Sequence, residues 1–590
     1  MRRSDRAGAL VRLLTGMVLS SALGCASGVI TGGDDTSGGG GGDDDGDGSG
    51  GGGGGDGDNP IDGDTGWADG GDLFPTPPTE GQIAVTLHPG ASVAIGSPVV
   101  VSFGAPFPPG ALSDGALLIA RDASGAELPI HSETLLPWRA WPGSDTTESV
   151  RSAMVSLEIT FASRDPVTIG LEYGAAPAAT LPRPADPRAD WLAVNDGEYP
   201  AGTVREPPVY ATFSPDWLSA CLIRSRTEPV GVDDTYGWID RSLVGFAHTA
   251  VNDVPDSVVE LLDYTGDYEP WLFDRTMTLY GVYLRTGDVE WLRHAHRSAQ
   301  FYLGQVGPTG YFILKGEDDL KYSYGRSLLV DYMFTGDPEL LDAVDRIAAA
   351  GRDWDPTYDL GTSFWTERHQ TYALLAALSA WEATGEARHS NRVSQIAQVS
   401  FALASDPVGS WPDNDCMLHG MTAHEGAGGD VPICSPWMSA LFADAVFEYY
   451  IQSRDGDALD FLAGLGRYVR DHALYPGGEG IDYTVPWYLA SSEMQFSDEG
   501  PWGDIEHTCD VAGMVVRGAW ADAARGGGDA ASLRAVADDL LTGCKYNLDM
   551  WHRPDAPEVG KSEWRLSPGR KFNWWFGTTN DLTWLLASGS

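Results

Sequence analysis

Tyr283-Leu-Arg-Thr-Gly-Asp288, Tyr332-Met-Phe-Thr-Gly-Asp337 and Trp381-Glu-Ala-Thr-Gly-Glu386 are three copies of one phrase, and their glycines, Gly287, Gly336 and Gly385, stand 49 residues apart each time. A fixed period of this size marks stacked helical hairpins. Glycine takes the left-handed conformation that closes one helix, and the acid after it favours the positive N-terminus of the next. Looser copies follow at Tyr450-Ile-Gln-Ser-Arg-Asp-Gly-Asp457 and Trp520-Ala-Asp-Ala-Ala-Arg-Gly-Gly-Gly-Asp529, and Tyr264-Thr-Gly-Asp267 opens the series. The pattern predicts an all-α (α/α)5–6 toroid over residues 237–590. Its hairpins are expected near 270–305, 320–351, 364–404, 435–473 and 505–547, with 238–262 and 573–588 as a sixth.

Upstream the composition changes twice. Ile83-Ala-Val-Thr-Leu87, Val99-Val-Val-Ser-Phe103, Ala116-Leu-Leu-Ile-Ala120 and Val155-Ser-Leu-Glu-Ile-Thr-Phe161 have strand lengths and strand patterning, with Gly, Pro and Asp between them. They predict an N-terminal all-β barrel or sandwich over 81–190, followed by a connecting segment, 191–236. Residues 26–80 are Gly, Asp, Ser and Pro with little apolar content, the composition of a disordered linker. Asp43-Asp-Asp-Gly-Asp47-Gly48 starts like a calcium loop, but position 54 is Gly where a closing Glu is needed. Residues 1–25 read as a signal peptide: Arg2, Arg3, Arg6 and Arg12 precede the apolar Leu13–Leu23. Ala22-Leu-Gly-Cys25 resembles a bacterial lipobox. That resemblance implies lipidation of Cys25, export, and an outer-membrane or cell-surface lipoprotein. Cleavage by an ordinary signal peptidase, giving a periplasmic protein, is the alternative.

The net charge of −46 gives no basic face for a nucleic acid, and 12 of the acids lie between Asp34 and Asp72. Any acidic ligand must be met by local Arg, Lys or metal. In an export context the cysteines are disulfide candidates. Cys509 and Cys544 fall at one height in a hairpin turning near Gly527, and Cys416 and Cys434 flank one long loop, which leaves Cys221 over.

The Thr-Gly-Asp turns are short and the connections 305–320, 351–364, 404–435 and 473–505 are long. In a ring of antiparallel hairpins the long ones share a rim, and long ordered loops carry function. The helix starts on that rim offer Asp274 and Arg275, then Lys321, Tyr322, Tyr324 and Arg326, then Trp365, Arg368, His369 and Tyr372. Further on come Asn414, Asp415, His419, His424 and Glu425, and then Asp504, Glu506, His507, Cys509 and Asp510. Taken singly, each is as well explained as a cap or a structural hydrogen-bonder. The 21 Trp add a second signal, because sugar C–H faces stack on aromatic rings. Trp365, Trp411, Trp437, Trp487, Trp502, Trp551, Trp574 and Trp575 lie in loops or at helix starts. Trp365, Trp437, Trp487 and Arg275 are taken as substrate-binding candidates.

Val101-Ser-Phe-Gly-Ala-Pro-Phe-Pro-Pro-Gly-Ala-Leu112, Leu118–Ile130 with its Asp122-x-x-Gly turn, and Ser149-Val-Arg-Ser-Ala-Met-Val155 resemble the N-terminal barrel of exo-rhamnogalacturonan lyase-like proteins. In that family the barrel precedes an α/α toroid bearing the active site. The resemblance implies a polysaccharide lyase cleaving an acidic polysaccharide by β-elimination, with a polysaccharide or oligosaccharide as partner. Such chemistry needs a cation on the carboxylate, a base and an acid. Arg326 or Arg368 supplies the first, His369, His424 or His507 the second, and Tyr322 or Tyr372 the third. Calcium is kept as a candidate cofactor. A glycoside hydrolase would use a carboxyl pair, Glu425 with Glu506 or Asp415. Glu506-His-Thr-Cys509-Asp-Val-Ala-Gly is also similar to a segment of β-L-arabinofuranosidases, which implies a zinc-bound cysteine nucleophile. A non-catalytic glycan-binding lipoprotein is the remaining alternative.

Overall fold

Alternation builds the first part of the fold. In strand β1 (Gly81–Pro89) Ile83, Val85 and Leu87 are buried on one side, because successive strand residues face opposite ways. The computed structural model describes residues 73–588 apart from 75, 145, 232–234, 254–261, 358–365, 408, 426–428 and 553–563. The signal segment, Cys25, the Gly/Asp tract and Trp365 therefore lie outside the described residues, and so does the side chain of Glu425.

The strands continue as β2 (Pro98–Pro106), β3 (Leu118–Arg121), β4 (Glu127–Leu128), β5 (Ile130–Trp138), β6 (Ser149–Thr160) and β7 (Val167–Tyr173). A two-stranded ribbon, β8 (Leu192–Ala193) and β9 (Arg205–Glu206), precedes β10 (Val209–Phe213). Two antiparallel sheets result, in the orders β10-β1-β7-β3-β4 and β2-β6-β5. Their inner faces share one core that includes Val85, Leu87, Phe103, Val155 and Leu171. The strand region does not stop at residue 190 as expected. Val209–Phe213 pairs with Val85–Pro89 and supplies an edge of the larger sheet.

After α1 (Pro215–Ala220) and α2 (Gly237–Ala250) the helices come in pairs. They are α3 (Arg275–Thr286) with α4 (Val289–Gly304), α5 (Gly325–Thr335) with α6 (Pro338–Ala350), and α7 (Glu367–Thr384) with α8 (Ala387–Ser405). A short α9 (Met421–Glu425) precedes α10 (Pro436–Ser453) with α11 (Gly456–His472). An equally short α12 (Pro501–Asp504) precedes α13 (Thr508–Ala524) with α14 (Ala530–Trp551). Then come α15 (Lys571–Gly577) and α16 (Leu582–Ser588). The first helix of each pair packs on the first helix of the next, and α15 lies against both α3 and α13, closing an α/α toroid. Inner helices are buried all round, as α10 is at every residue but Tyr450, whereas outer helices such as α6 bury a single stripe.

The repeated phrase works as its chemistry requires. Gly287, Gly336 and Gly385 close α3, α5 and α7 with φ of 65°, 70° and 69°. Asp288 and Asp337 then cap the next helix by accepting from Glu290 N and Glu339 N, each at 3.0 Å. The Gly336 and Gly385 turns rest on the sheet β2-β6-β5, and the Gly287 turn on Phe213 at the end of β10. Ser152 Oγ donates to Met333 O at 2.6 Å, and Arg139 donates to Glu382 O and Ala383 O at 2.8 and 3.0 Å. Hence β6 is buried on both faces over most of its length. Cys416–Cys434 and Cys509–Cys544 are disulfides, with Cα separations of 6.5 and 4.8 Å, and Cys221 is a buried thiol. No helix among the described residues is long and apolar enough to cross a membrane.

Candidate active site

With the sandwich against the short turns, the opposite rim is left to the long connections. A cleft of about 420 Å³ opens there, within the size range of ligand pockets. Arg368, the second residue of α7, reaches over Trp437, the second residue of α10, with its guanidinium carbon 5.1 Å from the ring centre. Ser435 caps α10 and Pro436 sets its first turn, which fixes Trp437 on the rim. Trp437 stacks on His507, centroids 4.8 Å apart and planes at 24°. His507 lies 4.2 Å from Trp574 of α15, whose indole N–H donates between His507 Nδ1 and Asp510 Oδ2, 3.0 Å from each. Tyr488 completes this wall, 6.0 Å from Trp437.

The facing wall is charged. Lys571 donates to Glu506 at 2.6 Å, and Arg570 pairs with Glu269 at 3.1 Å. Asp504 accepts from Tyr475 Oη at 2.5 Å. Burial, with Asp498 adding to it, raises the Asp504 carboxyl above the usual range, against the pull of Ser497, Tyr475 and His507. Arg368 is different from the arginines deeper in the ring. Arg151, Arg224, Arg326 and Arg517 all sit in ion pairs, whereas Arg368 makes no hydrogen bond or ion pair among the described residues. Burial lowers its pKa, with Tyr488 and Asp319 opposing. It is a cation turned to the cleft and available to an anion.

The floor is Leu272-Phe273, held in an uncommon conformation. Phe273 and Asp274 are consecutive non-glycine residues at φ of 72° and 60°. Several groups hold them there. Tyr324 Oη accepts from Phe273 N at 3.0 Å, Asn573 donates to Pro270 O and Leu272 O at 2.7 and 2.9 Å, and Thr278 Oγ1 donates to Asp274 O at 3.1 Å. Backbone strain persists only where the surroundings over-determine it, as at ligand sites. Below Phe273 is a small chamber of about 30 Å³ lined by Asp274, Arg326, Tyr372 and Glu448.

Of the sequence candidates, Arg368, Trp437, Asp504, Glu506, His507 and Trp574 line the cleft. His424 stands behind Tyr488 at 5.4 Å, and burial pushes its imidazole down to about 3. The others are placed elsewhere. His369 caps the start of α7 with Thr366 and stacks on Trp354, 5.6 Å away; burial, then Arg368 and Lys321, lowers it to about 3. Arg326 is tied to Glu382 and Glu448 at 2.7 and 2.5 Å, and Tyr372 shares its small chamber. Tyr322 stacks on Phe312. Arg275 is buried, donating to Ala250 O at 2.7 Å over the Tyr264 ring. Trp487 backs Tyr475 at 3.8 Å behind Asp504. Asp415 pairs with Arg467 beside the outer helices α8 and α11, apart from Glu506. Cys509 is locked to Cys544, so the zinc-bound cysteine is overturned: no thiolate is available. For calcium, the cleft brings no three ligand groups close together among the described residues.

Tyr488, Lys571 and Phe273 went unread because they lie outside the repeated phrases. The doublet Trp574-Trp575 was their nearest signal. Glu367, beside Arg368, was also missed. Burial alone would raise its carboxyl, but His419 at 3.4 Å and the Ser435 N–H at 2.9 Å hold it below the usual value and tie α7 to the loop before α10.

No protein-family model matches the chain, and no curated protein matches it. Among solved structures it is similar to an unsaturated glucuronyl hydrolase of Streptococcus agalactiae (11% identity, TM-score 0.39, 60% of this chain and 98% of that one). It is also similar to the Bacillus sp. GL1 unsaturated glucuronyl hydrolase, described as responsible for glycosaminoglycan degradation (13% identity, TM-score 0.39, 58% and 96%). At such identity and TM-score the likeness says nothing of substrate or chemistry.

Proposed function

We propose that the chain is a carbohydrate-active enzyme whose rim cleft cleaves an acidic oligo- or polysaccharide by β-elimination. The observation that carries this reading is Arg368, a guanidinium without a counter-ion among the described residues, set on an aromatic wall. A uronate ring lying on Trp437 would place its carboxylate against Arg368. That pairing drains charge from the carboxylate and acidifies the adjacent C5–H. His507 takes the C5 proton. The C5 electron pair forms the C4=C5 double bond, the C4–O4 bond breaks, and the leaving oxygen takes a proton from Tyr488. Trp574 and Asp510 orient the imidazole.

A second reading has one observation in its favour. Asp504, whose carboxyl is held toward its protonated form, shares a wall with Glu506, and hydrolysis uses such an acid with a partner carboxylate.

The test is to incubate the protein with uronate-containing oligosaccharides while following ultraviolet absorbance and reducing ends together. Elimination raises both, and Arg368→Ala abolishes the rise by about a hundredfold or more, as for loss of one charge-stabilising group. Reducing ends without absorbance establish hydrolysis. Binding without turnover leaves a glycan-binding protein and sinks both catalytic readings.

A further inference from the structure

A second cluster of chemistry-bearing side chains lies away from the cleft. His248 in the last turn of α2, Asp253 beyond its end and Glu290 in the first turn of α4 bring one imidazole nitrogen and two carboxylate oxygens within 4.8 Å of one another. His248 Nδ1 and Asp253 Oδ2 are 3.0 Å apart.

The cluster stands on fixed backbone. Asn252 takes φ 59°, and its amide donates to Leu262 O at 2.8 Å and accepts from Leu262 N at 2.9 Å, clamping the turn. Asp253 N donates to His248 O at 2.9 Å. Glu290 N is held by the Asp288 cap, and the imidazole is packed on Trp291, 4.8 Å between centroids. Two carboxylates face each other here in a chain of net charge −46, and among the described residues neither pairs with a Lys or Arg. A cation would relieve that repulsion.

We infer that His248, Asp253 and Glu290 form a binding site for a divalent first-row metal ion, zinc foremost. Zinc accepts imidazole nitrogen and carboxylate oxygen at about 2.0–2.2 Å, with water completing four-coordination. The ligand atoms draw in by side-chain rotation alone, since Asp253 is exposed and Glu290 half-exposed. The imidazole selects against calcium, which takes oxygen ligands. Bound metal would staple the end of α2 to α4, at the root of the connection that ends in the Phe273–Asp274 floor.

The full chain, freed of metal with chelator, is titrated calorimetrically with zinc, manganese and calcium chlorides. Zinc binds at one site in the micromolar range and raises the melting temperature, while calcium binds at least about tenfold more weakly. His248→Ala and Glu290→Gln each weaken zinc by about tenfold or more, since loss of a ligand at least matches outer-shell effects. Both variants keep the metal-free melting temperature, which separates loss of the site from loss of the fold. Zinc binding that survives both substitutions, zinc no tighter than calcium, or no saturable binding overturns the inference.

Discussion

Asp274 shows how a single residue can carry both strain and charge. It caps α3 by accepting from Met277 N at 3.0 Å while itself left-handed. Burial, with Glu448 adding to it, raises its carboxyl to about 7, against Met277 N–H, Ser327 and Arg224. The folded value lies above the unfolded one of about 3.9. The stability that the neutral carboxyl contributes is therefore complete below about pH 4 and is lost as pH rises through about 7. Asp274→Asn keeps a cap residue that tolerates the left-handed region but cannot ionise. Its stability relative to the parent should rise by about 1.4 kcal/mol per pH unit between pH 5 and 7. Parallel urea-unfolding profiles for the two proteins across that range would show that Asp274 titrates normally. The same scale explains which arginine could be read from sequence. Arg326 and Arg368 are each the second residue of an inner helix, and the sequence treated them alike. But α7 has 18 residues and α5 has 11. At 1.5 Å per residue, Arg368 stands about 10 Å higher above the turn rim than Arg326. One therefore reaches the cleft and the other the ion pairs beneath it. Helix length depends on where each long connection ends, and the phrase at the other end of the helix does not encode that.

At the scale of elements, the turn chemistry was legible because it is local. A glycine that must take positive φ and an acid that must cap leave a signature at every period. What the turns dock against was not legible. Gly336 and Gly526 have nearly the same φ, 70° and 72°, yet a Cβ on Gly336 would come 2.8 Å from Met154 Sδ of the sandwich, while one on Gly526 meets open space. Gly526→Ala should cost about 1–2 kcal/mol, the strain of a left-handed residue alone. Gly336→Ala should cost more, because the buried Met154 side chain of β6 must also give way. Equal losses in urea unfolding would mean that the turn–sandwich contact is soft. The end of the sandwich was misjudged for a related reason. Val209–Phe213 follows a stretch rich in Pro, Gly and charge, and only its pairing with β1 across more than a hundred residues makes it a strand. β-propensity reports such context rather than the backbone alone.

Across the whole molecule, one chain of buried charge joins the sandwich to the ring. Arg151 of β6 pairs with Glu382 of α7, which pairs with Arg326 of α5. Arg326 pairs with Glu448 of α10, and Glu448 with Arg224, which also pairs with Asp444. Arg517 of α13 joins Asp444 to Asp581 at 2.8 and 2.6 Å. Four guanidinium groups and four carboxylates balance, so no charge within this chain of pairs is left uncompensated. Sequence reading cannot assemble such a chain, since its members lie up to several hundred residues apart and each alone resembles a helix-end charge. It links the strands and the helices, which lie in one compact unit although their composition splits cleanly. Glu382 is the link between the halves. Glu382→Gln would leave Arg151 without its counter-charge and Arg326 with Glu448 alone, and breaking a buried pair from one side costs about 3–5 kcal/mol. Because the pair spans both halves, hydrogen exchange should show β6 and α7 amides losing protection by the same amount. Replacing Arg151 and Glu382 together by apolar residues of similar volume leaves Arg326 paired with Glu448 and should recover most of that loss. If α7 alone loosens while β6 keeps its protection, the two halves unfold separately and the ion chain does not couple them.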